Sequence, residues 1–109
     1  MTAATLTPVT HTAATTLAKA FGPVPAGEEW SVRVRVCALG SVDSIADLDL
    51  RATGSGTPGY RAKAHPVAVG SGTYDLETNL TMPAGYELWD RSGAADVSFS
   101  YTGTKRSTT

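Results

Sequence analysis

An all-β chain folded as a sandwich or jelly roll of six to eight short antiparallel strands is what this sequence predicts, and three observations predict it. Apolar and polar residues alternate with a period of two in several separate stretches. Clusters of Gly, Pro and Ser punctuate those stretches about every eight to twelve residues, the rhythm of sandwiches and barrels. Finally, Pro25-Ala26-Gly27-Glu28-Glu29-Trp30 returns as Pro83-Ala84-Gly85-Tyr86-Glu87-Leu88-Trp89, each copy leading into strand-like sequence. Pro suits the second position of a tight turn and Gly supplies a positive φ, so Pro25, Gly27, Pro83 and Gly85 are expected to form two similar corners of one sandwich. A chain of 109 residues, 41% hydrophobic and 17% charged, is sized for one domain and is too apolar for a disordered segment.

In chain order, residues 1–17 hold seven threonines and four alanines, with Leu6, Val9 and Leu17 as the large apolar side chains. That is too little to build a core, so 1–17 is expected to be an extended arm, 18–103 the sandwich and 104–109 a polar tail. Ala13 to Ala20 is the one stretch with any helical propensity. From Trp30, one strand face reads Trp30, Val32, Val34, Val36, Ala38 and the other Ser31, Arg33, Arg35, Cys37. Ala46, Leu48, Leu50 and Ala52 then alternate with Asp47, Asp49 and Arg51. With Gly40 to Ser44 between them, the two strands are expected to form a hairpin in which Arg33 and Arg35 face Asp47 and Asp49.

The breaker cluster Gly54 to Gly59 divides the chain near its midpoint. Arg61 to Val69 contains Pro66, which cannot donate to a ladder, and is therefore an edge or bulged strand. Tyr74, Leu76, Thr78, Leu80 and Met82 share one face of the next strand, which runs into the second corner. Tyr86 to Arg91 follows, then a turn at Ser92 to Ala95, and last a strand in which Val97, Phe99 and Tyr101 alternate with Ser98 and Ser100.

Function classes narrow by chemistry. Nine Lys and Arg against ten Asp and Glu are scattered without a basic stripe, so no nucleic acid is expected as a partner. No apolar run approaches the ~20 residues of a membrane helix, and the N-terminus lacks the pattern of a signal peptide, which predicts a soluble, cytoplasmically made chain with no membrane partner. Cys37 is the only cysteine and is expected to be a small core hydrophobe. His11 and His65 are far apart and without ligand-spaced partners, and Asp43, Asp47 and Asp49 lack the order of a calcium loop, so neither metal nor cofactor is expected. No phosphate loop or serine elbow occurs, and Glu29 and Glu87 at equivalent turn exits read as repeated structural residues; the chain is expected not to be an enzyme.

The order of a Thr-rich lead, a Val-Pro-Ala-Gly corner, an alternating strand, Leu80-Thr81-Met82-Pro83-Ala84-Gly85-Tyr86-Glu87-Leu88 and a closing Ala94-Ala95-Asp96-Val97-Ser98-Phe99-Ser100-Tyr101-Thr102-Gly103 resembles small β-sandwich virion proteins of tailed bacteriophages. The resemblance spans roughly Thr15 to Gly103; Pro66 and the long arm depart from it. It implies a capsid decoration protein, a trimer bound to the major capsid protein and located in the virion. Leu6, Val9 and His11 of the arm are then expected to contact a neighbouring subunit or the capsid by strand addition. The alternative is a neck, tail or fibre component that binds host glycan through aromatics such as Trp30 and Trp89.

Overall fold

The computed structural model describes residues 4–38, 44–54, 61–67, 73–93 and 97–108, with backbone alone at 44 and 61–67. Nine strands run through them: β1 (Ala4–Thr5), β2 (Val9–Thr12), β3 (Ala18–Phe21), β4 (Glu28–Ala38), β5 (Ser44–Ala52), β6 (Arg61–Val67), β7 (Thr73–Met82), β8 (Tyr86–Ser92) and β9 (Val97–Ser107). Among the described residues there is no helix, and the end of the stretch with helical propensity, from Ala18 to Ala20, lies in strand β3.

Every pairing is antiparallel. One sheet has the order β1-β9-β4-β7 with β2 also on β9, and the other has the order β3-β8-β5-β6. Counted as one strand interrupted at Pro8, β1 and β2 give eight strands in the orders 1-8-3-6 and 2-7-4-5, the connectivity of a jelly roll. The predicted β-sandwich is therefore the fold.

Period-two patterning sets which side chains face inward. Val32, Val34 and Val36 of β4, Leu76, Leu80 and Met82 of β7, and Val97, Phe99 and Tyr101 of β9 are buried from the first sheet. Ala46, Leu48 and Leu50 of β5, Leu88 of β8 and Phe21 of β3 meet them from the second. Each large side chain so placed contributes roughly 1.5–3 kcal/mol relative to exposure. β4 and β9 pair along their full lengths, from Glu28 opposite Ser107 to Ala38 opposite Val97, and form the spine of the first sheet. Gly103 lies opposite Val32 on the inner row of that ladder. A Cβ there would overlap the Ser31 carbonyl oxygen and come within 3.0 Å of Val32 Cα, so only glycine fits.

The structure corrects the expected hairpin. β4 pairs with β7 and β9, whereas β5 pairs with β6 and β8, so the two strands lie in opposite sheets. Both carry a wholly apolar face, and setting those faces against each other across the core buries both at once. Arg33 and Arg35 consequently meet Asp75 of β7, at 3.4 and 2.8 Å, while Asp47 pairs with Arg91 of β8. β6, with Pro66, is an edge strand as expected. The loop at 40–43, residues 55–59 of the breaker cluster and the turn at 94–95 lie outside the described residues.

The two Pro-Ala-Gly phrases do form matching corners, each carrying the chain from one sheet to the other: β3 to β4 at the first, β7 to β8 at the second. Glu28 N–H donates to Pro25 O and Tyr86 N–H to Pro83 O, both at 3.2 Å, and Gly27 and Gly85 have φ of 81° and 84°. These are type II turns with Pro first and Gly third, so the expectation that Pro fills the second position is corrected: Ala26 and Ala84 do. The corners also touch, because Val24 N–H donates to Tyr86 O and Gly85 N–H to Val24 O.

The arm and the tail are not appendages. β1 and β2 pair with β9 of the same chain, Val9 opposite Tyr101 and Ala4 opposite Lys105, and residues 104–107 are the continuation of β9 against β4.

Candidate functional site

The chemistry-bearing residues that the fold brings together lie where the arm meets the sandwich. On β8, Leu88, Asp90 and Ser92 alternate inward, which carries the Asp90 carboxylate into the core at 1% exposure. On β9 the same alternation aims Tyr101 at it from the facing sheet, and the Tyr101 hydroxyl donates to Asp90 Oδ2 at 2.5 Å. His11 of β2 reaches the same oxygen with Nε2 at 2.6 Å. An ionised carboxylate only accepts, so Nε2 carries the hydrogen. The other carboxylate oxygen, Oδ1, is buried without a hydrogen-bond partner. The Phe21 ring stacks on Tyr101 at 5.0 Å, which seals the group from the second sheet's edge.

Burial drives the Tyr101 hydroxyl well above the ordinary phenol range, and the Asp90 charge and hydrogen bond push the same way. An unfolded tyrosine loses its proton near pH 10. Above that pH the unfolded chain sheds a proton that the folded chain keeps, so stability falls as pH rises from about 10 towards the folded value. Urea midpoints measured between pH 9 and 11 are expected to drop more steeply in the natural protein than in Tyr101→Phe; equal slopes would contradict the placement of this hydroxyl.

Each predicted contact residue of the arm has a place in its own chain. Leu6 is 6% exposed in the common core and its N–H donates to Gly103 O at 2.9 Å. Val9 packs against that core, and His11 fastens to Asp90. In the isolated subunit all three thus pack within their own chain: β9 offers a free edge and a buried anion within reach of the arm that precedes it, and a tethered strand finds them at high effective concentration. Asp90 was not singled out from sequence, and Tyr101 was read there only as one face of the last strand. The signal was the alternation itself, which puts a carboxylate at an inward position between Leu88 and Ser92.

A second group of charges lies on the outward row of β5 and β8. Asp49 and Arg51 are buried, with Arg51 Nε donating to Asp49 Oδ2 at 2.7 Å. The Arg51 guanidinium sits 4.3 Å over the Trp89 ring, whose Nε1–H donates to Glu87 Oε1 at 3.0 Å. Trp30 is held by the same device, Nε1–H to Glu28 Oε1 at 3.0 Å, and packs on Phe21. Both indoles are thus engaged within the chain. Glu29 faces outward and pairs with Arg106 beside a shallow depression of about 50 Å³, far below the ~300 Å³ from which ligand pockets start.

Cys37 is half-buried, its thiol directed at Ala38 O. Among the described residues no group of three His, Cys, Asp or Glu could hold a metal ion, and no helix is long and apolar enough to cross a membrane. A scan against models of protein families and searches of curated proteins and of solved structures matched nothing. Chemically, the His11–Asp90–Tyr101 group is arranged to fasten: its anion is sealed in the core, its hydroxyl is fully buried, and the partly open imidazole has its Nε2 committed to the carboxylate.

Proposed function

We propose that this chain is a non-enzymatic structural subunit of a tailed-phage particle, a decoration protein that binds the assembled head shell and strengthens it by mass action. The observation that carries the reading is where the phage-like motifs fall in the fold. Both Pro-Ala-Gly corners are crossings between the sheets, and the closing Val97 to Gly103 segment is the central strand β9. The residues behind the resemblance are therefore those that define this jelly roll. A jelly roll alone hosts many functions, so the particle must decide.

Contact with the shell, or with two further copies in a trimer, is assigned to the end of the sandwich where β5 and β7 begin. Ile45 and Tyr74, near the starts of those strands, are the large apolar side chains exposed among the described residues, by 48% and 40%. Imaging of particles is expected to show many copies spread over the head, and native mass spectrometry a trimer. Ile45→Ser should lower occupancy while leaving the melting temperature unchanged. A particle without this chain, or a single ring of copies at a neck or tail, would overturn the decoration role.

A further inference from the structure

We propose that the arm slot on β9 is an exchange site, which in the assembled state accepts β1 and β2 from a second copy of this chain. The proposal deepens the assembly reading above and rests on it.

The strand order makes exchange topologically simple. The arm is outermost in the first sheet and β3, which follows it, is outermost in the second. The arm can therefore leave by breaking its ladder with β9 and two ties to β8, His11 to Asp90 and the Ser92 N–H to Ala14 O, without opening any other strand pair. Between them runs Ala14–Leu17, exposed at three of its four positions and bent at Thr15 and Thr16. Straightened, four residues span about 13 Å, nearly three times the ~4.8 Å between paired strands, so the arm can reach the β9 edge of a subunit lying alongside.

A vacant slot is costly, whereas an arm from either source fills it. Without the arm, Gly103 O and Val97 O lose the Leu6 and Ala13 amides, and Asp90, already with one orphan oxygen, loses one of its two donors. Either slot offers the arm the same contacts, so its choice between them is governed by effective concentration. In dilute solution the tether favours its own β9. In a packed layer the neighbour's slot is present at a comparable effective concentration, and the same contacts then link the subunits.

Position-specific crosslinking tests this. Thr10 and Ser100 are direct partners across β2 and β9, with hydroxyls 3.1 Å apart at the outer face. Antiparallel partners have Cα spacings within disulfide reach. Two chains, one with Thr10→Cys and one with Ser100→Cys, both in a Cys37→Ser background, are co-refolded at high concentration and oxidised, and the products are sized and mapped. About half of the oligomeric chains, the most that random mixing of the two variants allows, are expected to carry an interchain link between positions 10 and 100. The variant with both substitutions in one chain should close within itself when dilute and between chains when assembled. Oligomers that link only within chains would overturn exchange and leave the assembly reading standing; a chain monomeric at every concentration would overturn both. The Thr12 and Ser98 pair, also direct partners, repeats the test should either first variant fail to fold.

Discussion

Gly103→Ala is expected to destabilise the protein by about 3 kcal/mol, the upper end of what overpacking costs. The added methyl group would overlap the Ser31 carbonyl oxygen, with Ser31 C and Val32 Cα both at 3.0 Å. These are backbone atoms of the longest ladder in the molecule, so no side-chain rotation relieves the clash and β9 must move away from β4. The displacement also pulls Gly103 O from the Leu6 amide, which loosens the first turn of the arm. For a domain of this size the melting temperature should fall by about 12 °C or more. Gly85→Ala is the control. Its φ of 84° disfavours alanine, but nothing lies within 4 Å of the added atom, so it should cost only about 1 kcal/mol. Thermal denaturation followed by circular dichroism separates the two; a Gly103→Ala loss no greater than that of Gly85→Ala would show that the strands are not in this close approach.

What could be read in the sequence and what could not divide along the reach of the interactions. Alternation is local, so the inward rows of β4 and β9 and the edge placement of Pro66 were legible. Which strand lies beside which is set by burial summed over the whole chain, and there the nearest-neighbour pairing of β4 with β5 failed. The composition of the arm is equally silent on pairing. Seven threonines and few apolar residues describe a strand that cannot fold by itself, but they do not say whose sheet it joins, and the free edge of β9 arises only once the jelly roll has formed.

The repeated corners show how one residue decides a side chain's environment. Trp30 lies three positions after Gly27 and Trp89 four after Gly85. Because side chains alternate strictly along a strand, that single step sends Trp30 inward against Phe21 and Trp89 outward beneath Arg51. Glu29 and Glu87, both two positions after the glycine, keep the same outward direction, and each finds a structural partner there, Arg106 for one and the Trp89 indole for the other. The similarity of the two halves is thus real at the turns and is broken, by one position in the spacing, at the aromatics that follow.

The fastening of the arm leads to the second large effect. His11→Ala removes one of the two donors to a carboxylate that is 1% exposed and has an oxygen with no partner at all. Breaking a fully buried ionic pair costs about 3–5 kcal/mol because the remaining charge is stranded. The His11 side chain is 35% exposed, so water reaches the vacated position and repays part of that, which places the expected loss at about 2 kcal/mol. Hydrogen exchange should locate it: the Leu6 and Ala13 amides, bonded to Gly103 O and Val97 O, are expected to lose protection well before the β4–β9 ladder does. Asp90→Leu strands no charge but leaves the Tyr101 hydroxyl and the imidazole unpaired, at a cost of about 1–3 kcal/mol. Combined with His11→Ala, that substitution removes the anion whose isolation made the first change expensive. The double variant should therefore be more stable than the two single losses predict, by about 1–2 kcal/mol. Additive losses would mean that His11 and Asp90 merely lie close together, and the arm would then owe its position to the β9 ladder and Leu6 alone.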